Sequence, residues 1–129
     1  MPKICYNTRD ELIVIDLDKT AYVKASGNYS IVAYITGQQS TLTVGITHIE
    51  RMIALAFGRG QDSQFVRLGR SVIVNQRYLR RIDVPRQMVM LGDLEHTPIK
   101  LAIPKSLIKG YKDKVEQGYK KTTPHNTAQ

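Results

Sequence analysis

The chain has 129 residues, 42% of them hydrophobic and 23% charged, which is the composition of one globular domain able to bury a core without staples. Its single cysteine, Cys5, excludes an internal disulfide framework and an all-cysteine zinc site, and no stretch has the apolar length of a membrane span or of a secretory signal. The formal net charge of +8 is held unevenly: residues 1–64 carry six Lys or Arg against six Asp or Glu, and residues 65–129 carry thirteen against five. Such asymmetry points to nucleic acid or an anionic surface as a partner, and the absence of a signal or span points to the cytoplasm.

In chain order, Lys3–Asn7 and residues 12–17 read as short strands joined by the polar turn Thr8-Arg9-Asp10. Residues 20–25 are a third strand, broken by Ser26-Gly27-Asn28, and residues 29–36 resume as a fourth. Gly27-Asn28 tolerates positive φ, so these two strands form a hairpin. Gly37-Gln38-Gln39 then turns the chain into a partner strand over 40–44. The clearest helix covers 49–57: Ile49, Met52, Ile53, Ala56 and Phe57 make one apolar stripe, and Gly58 supplies a C-terminal stop. Thr47 and Glu50, three apart, have the pattern of a capping box at its start.

A polar loop over 58–64 leads to Phe65-Val66-Arg67-Leu68-Gly69-Arg70-Ser71-Val72-Ile73-Val74-Asn75, the stretch around which the chain is organised. Val72-Ile73-Val74 is a β-branched run suited to a strand, and Arg67 and Arg70 bring two guanidinium groups to its entrance. Gly69 between them permits a tight backbone. Residues 78–83 and Met88–Leu91 are further strand candidates, Gly92-Asp93 makes a turn, and residues 99–103 form the last strand. Pro104 is suited to the first position of a closing helix in which Leu107, Ile108, Tyr111 and Val115 share a face and Gly110 is a weak point. The segment 118–129 is polar without apolar periodicity and reads as a disordered tail behind one domain over 3–117.

Little in this order suits catalysis. His48, His96 and His125 are scattered and none stands at metal-ligand spacing. Gly58-Arg59-Gly60 lacks the Gly-Lys-Ser/Thr ending of a phosphate-cradling loop, and Ser71 lacks the second glycine of a nucleophile elbow. No enzyme activity, cofactor, metal or small-molecule substrate is therefore expected. Nucleic acid accounts for more: six arginines (67, 70, 77, 80, 81, 86) fall within twenty residues that hold one acid, Asp83. Lys100, Lys105 and Lys109 add point charges near the closing helix. No recognition helix is visible, so any reading of bases falls to loops and strand ends.

Three blocks carry a resemblance. Tyr22-Val23-Lys24-Ala25-Ser26-Gly27-Asn28-Tyr29-Ser30 resembles the strand ending in an Ala-x-Gly-Asn-Tyr turn of LytTR DNA-binding domains, found in many bacterial transcription regulators. Residues Phe65 to Asn75 resemble that family's Phe-x-Arg-x-His-Arg-Ser-Tyr-Ile-Val-Asn signature, and residues 99–109 match more loosely its closing Ile-Pro-Val-Ser-Arg-Arg segment. The likeness covers roughly residues 3–115, and the order and spacing of the blocks make it specific. Three positions depart from the pattern: Gly69 replaces the family's histidine, Val72 its aromatic residue, and Pro104-Lys105-Ser106 its Ser-Arg-Arg.

The resemblance implies a mainly β fold of elongated antiparallel sheets, with one short amphipathic helix and a C-terminal helix. It implies sequence-specific binding of double-stranded DNA by loops set in major grooves, in a transcriptional regulator that stands alone without a receiver domain. A second copy on an adjacent half-site is a further candidate partner; a membrane is not. Carried over by position, Asn28 lies in the first contact loop, Arg70 in the second and Lys105 in the third; Arg67, Ser71, Ser106 and Lys109 complete the expected DNA-binding set. The residues also have plainer readings: Asn75 as a buried amide that satisfies backbone, Asn28 as a turn residue, Tyr29 as core, Arg67 as an ion-pair partner. The rival function is a protein-interaction module that keeps the fold without binding DNA; a third is single-strand binding by exposed tyrosines.

Overall fold

The structure, a computed structural model, describes residues 2–58 and 63–119. In chain order its first strands are β1 (Lys3–Asn7), β2 (Leu12–Asp16), β3 (Thr20–Ser26), β4 (Tyr29–Tyr34) and β5 (Gln39–Leu42). Helix α1 (Ile46–Phe57) follows, and then β6 (Phe65–Leu68) and β7 (Val72–Asn75). The chain closes with β8 (Leu79–Asp83), β9 (Met88–Leu91), β10 (Ile99–Ala102) and helix α2 (Lys105–Gly118). All described strand pairs are antiparallel: a β1-β2 ribbon, a five-stranded sheet ordered β5-β4-β3-β7-β6, and a three-stranded sheet ordered β10-β9-β8. The mainly β class with two helices is as the sequence implies.

The five-stranded sheet is covered on both faces, and β7 shows why its sequence is apolar without alternation. All four of its residues are buried. Val72 and Val74 face a core shared with Val89, Leu91, Leu101, Ile103 and the α2 residues Ile108 and Tyr111. Ile73 faces the opposite core with Ile4, Ile15, Val23, Val32 and the α1 residues Ile49 and Ile53. A strand between two packed layers has no solvent side to mark with polar residues.

Asn75 ends this strand at 2% exposure. Its Nδ2 donates to the Thr20 carbonyl at 2.8 Å, and its Oδ1 accepts the Arg77 N–H at 3.1 Å, capping a 3₁₀ turn over Gln76–Tyr78. Asp16 caps the matching turn Leu17–Lys19 by accepting from the Asp18 N–H. The two turns are joined: the Tyr78 hydroxyl donates to the Asp18 carbonyl, and Arg77 Nη1 lies 3.3 Å from Asp18 Oδ1. Asn75 is thus the buried, backbone-satisfying amide that the sequence suggests.

Several expectations shift. Helix α1 starts at Ile46 with Gly45 as N-cap and no side-chain cap bond, so the Thr47–Glu50 capping box does not form. Both side chains instead meet Arg67 from β6: its Nη1 lies 3.3 Å from Thr47 Oγ1 and 2.8 Å from Glu50 Oε1. Pro104 is the N-cap of α2 rather than its first residue, and the helix passes Gly110 and runs to Gly118, one residue beyond the expected boundary. Tyr29 is 50% exposed, not core, because it stands at the strand start where the hairpin leaves the covered part of the sheet. Of the loop over 58–64, residues 59–62 lie outside the described residues, as do 120–129 of the expected tail.

The Asn75 bonds yield a stability prediction. Asn75→Ala leaves the Thr20 carbonyl and the Arg77 N–H without their buried partner, a loss of about 2 kcal/mol. Urea unfolding should show that loss; a variant within about 0.5 kcal/mol of the parent, the range of ordinary surface substitutions, would contradict the role.

Candidate nucleic-acid interface

Register places two distant loops at one end of the five-stranded sheet. Lys24 pairs with Val72, and one step further the Ala25 N–H donates to the Ser71 carbonyl at 2.8 Å. The β3–β4 turn, Gly27-Asn28, therefore continues past the same end at which β6 turns into β7. The β6–β7 turn is Gly69-Arg70-Ser71, with Leu68 and Val72 paired across its base. Both hairpins turn on a glycine in the left-handed region, φ +61° at Gly27 and +62° at Gly69, which L side chains disfavour.

The start of α2 joins them. A Cβ on Gly69 would lie 2.7 Å from Leu107 Cδ1, so the first turn of α2 packs directly on the β6–β7 turn. Gly69 is thus held by two constraints, its φ and the leucine above it. The family's histidine at this position cannot be accommodated in this arrangement unless Leu107 moves.

The predicted residues take different places. Asn28, Arg70, Ser71, Lys105, Ser106 and Lys109 are all exposed. Arg70 makes no hydrogen bond or ion pair with another described residue, which leaves its guanidinium fork free for a ligand. Arg67 is different: its side chain is 22% exposed, and besides Thr47 and Glu50 its Nε donates to the Gly69 carbonyl at 2.9 Å. It ties α1 to the turn that carries Arg70. That is its ion-pair reading, with a positioning consequence that spacing alone did not suggest.

Sequence reasoning missed the β8–β9 turn. Arg86 and Gln87 reach the same end of the molecule, where they line an open groove with Lys24, Ser71 and Pro104. Arg86 Nη1 is 2.9 Å from Asp83 Oδ2, and its N–H donates to Asp83 Oδ1 at 3.1 Å; these bonds hold the Asp83 carboxyl below its ordinary range. The signal was available as the arginine run, but only topology separates Arg86 from Arg80 and Arg81.

His96 also proves less isolated than its spacing suggests. Its Nδ1 lies 2.7 Å from Asp93 Oδ2, and with Glu95 the three side chains bring ligand atoms within 4.8 Å of one another. Asp93 also accepts from the Glu95 and His96 N–H groups, so the cluster closes its own turn. The hydrogen bond from the His96 N–H, with further help from the His96 side chain and the Glu95 N–H, lowers the Asp93 carboxyl to about 2 against burial acting the other way. Among the described residues no helix is long and apolar enough to cross a membrane.

No family model and no curated protein matches the chain. Among solved structures it is similar to the LytTr DNA-binding domain of a Bacillus cereus protein described as a methyl-accepting/DNA response regulator. The TM-score is 0.56 over 89% of this chain and 96% of that one, at 20% identity. The fold is that of a LytTR-type domain. The LytTR blocks noted in the sequence therefore fall on the two glycine hairpins and on the β10–α2 junction, the three segments that share one end of the molecule.

The Gly69–Leu107 contact can be isolated. Gly27 has the same φ with nothing within 4 Å of an added Cβ, so Gly27→Ala measures the backbone cost alone, about 1 kcal/mol. Gly69→Ala should cost more, and Leu107→Ala should remove the excess in a double-mutant cycle. Equal costs at the two glycines, unchanged by Leu107→Ala, would show that the leucine does not constrain the turn.

Proposed function

We propose that this chain is a sequence-specific, double-stranded-DNA-binding transcriptional regulator that reads major grooves with loops rather than a helix. The observation that carries the reading is the convergence of Asn28, Arg70 and the start of α2 on one end, with Arg70 exposed and unpaired among the described residues. The basic second half of the chain and the LytTR fold support it, since the similar Bacillus cereus domain is described as DNA-binding.

In this reading Arg70 and Asn28 meet base edges from the two hairpin turns, and Lys105 does so from the head of α2. Arginine's fork suits guanine O6 and N7, and asparagine's amide suits adenine. Ser71, Ser106 and Lys109 contact phosphates. Arg67 holds the Gly69 carbonyl and so sets the direction of the turn. The protein acts by binding, without catalysis or cofactor, in the cytoplasm, and a second copy occupies a neighbouring half-site.

Arg70 and Lys109 separate recognition from charge. Arg70→Ala should cost about 1–3 kcal/mol on the preferred duplex and flatten the preference among its variants. Lys109→Ala should weaken all sequences alike and lower the slope of log affinity against log salt by about one. Quantitative gel shifts over a salt series, with promoter fragments, read both. No duplex binding even at low salt would overturn the reading in favour of the protein-interaction module. A preference for single strands would favour stacking, for which the exposed ring of Tyr29 is available.

A further inference from the structure

We infer that the groove between the end of β3 and the β8–β9 turn seats a DNA backbone phosphate, gripped from opposite walls by Lys24 and Arg86; the inference rests on the DNA-binding reading above. The groove has a volume of ≈ 570 Å³ and is lined by Lys24, Ser71 and Val72 from one layer and by Arg86, Gln87 and Ile103 from the other, among others. Lys24 pairs with Val72, whose side chain is buried in the core shared with the three-stranded sheet, so the Lys24 charge stands at the border of that core.

The floor is apolar and fixed: Val72 and Ile103 are 3% and 1% exposed. The walls are polar and tied down. The Ala25 N–H holds Ser71 by its carbonyl, and the Ile103 N–H donates to the Gln87 carbonyl at 3.0 Å, fixing the β8–β9 turn against the end of β10. No carboxylate lines the groove. Asp83, the ion-pair partner of Arg86, has a side chain only 12% exposed, against 75% for Arg86. A bond through one Nη orients a guanidinium while leaving its other N–H groups for a ligand. The Lys24 side chain has no hydrogen bond or ion pair with another described residue.

The ligand is fixed by what the walls offer. Two cations from separate elements and the Ser71 hydroxyl suit a compact anion with several acceptor oxygens, and lysine and arginine are the usual phosphate partners. The groove includes Ser71, next to Arg70, and Pro104, the N-cap of α2, in its lining. A duplex read by both of those segments must lay its backbone close to this groove.

The test is the salt slope of duplex affinity for the full chain and for Lys24→Ala, Arg86→Ala, Arg86→Lys and Arg80→Ala. Each neutralised phosphate contributes roughly 0.9 to the slope. Lys24→Ala should lower it by about one and weaken preferred and unrelated duplexes by the same factor. Arg86→Ala should do likewise, while Arg86→Lys, which keeps the charge, should retain the parent slope. Arg80, in strand β8 and lining a different groove beside α2, should leave the slope unchanged. A parent-like slope for both alanine variants, in a chain that still binds DNA through Arg70, overturns the groove inference alone. Slope losses as large for Arg80→Ala also overturn it, since they would reflect net charge and not a site. Failure of the parent chain to bind duplex would instead remove the reading on which the inference stands, and the inference with it.

Discussion

The burial of β7 on both faces is the constraint on which the rest of the structure depends. With Val72 and Val74 committed to one core and Ile73 to the other, a slip of one residue would exchange the two sets of contacts. Register is therefore fixed at the strand from which the Gly69-Arg70-Ser71 turn projects. Asn75 pins its far end through the Thr20 carbonyl, so the turn at its near end inherits a defined height and direction. Under the proposed function, a loop that places one guanidinium against a base edge needs that inheritance, because recognition by hydrogen bonds tolerates little error in position.

The same strand explains how charge is segregated. One core draws mainly on the first half of the chain, under α1 and the β1-β2 ribbon; the other draws mainly on the second half, under the three-stranded sheet and α2. The positive excess lies in the second half, and the structure places Arg70, Arg86 and Lys105 from that half at the end where Lys24 and Asn28 also emerge. Three elements hold that end together: the Arg67 bonds to α1 and to the Gly69 carbonyl, the contact of Leu107 with Gly69, and the Ile103–Gln87 bond. Apart from the local Arg67–Gly69 bond, each joins different elements of the chain, so the end behaves as one surface and not as three separate loops.

Much of this was legible in the residues. The hairpin at Gly27-Asn28, the β-branched run of β7 and the apolar stripes of both helices gave the element order, because each is a local pattern with a local cause. The blocks around Asn28 and Arg70 and the junction at Pro104 gave the fold. The capping box was misread because Thr47 and Glu50 satisfy that pattern locally, while the guanidinium that claims them comes from a strand distant in sequence. Tyr29 was misread because period and propensity mark it as a strand residue but cannot say where the covering layer ends. Lys24 and Arg86 were passed over for a related reason: two charges 62 positions apart share a groove only through register and turn geometry. The role of Gly69 was half visible, since glycine announces an unusual φ but not the leucine packed upon it.

The central claim is that one end of the molecule, assembled from three loops and the β8–β9 turn, is the surface that meets DNA. Backbone amide shifts followed by NMR during titration with a duplex test it directly. The account predicts that the affected amides cluster at Gly27-Asn28, Gly69–Ser71, Arg86-Gln87 and Lys105-Ser106, while the β1-β2 ribbon and the outer face of α1 remain unmoved. Shifts centred on the ribbon, or on the groove that Arg80 lines beside α2, would contradict it.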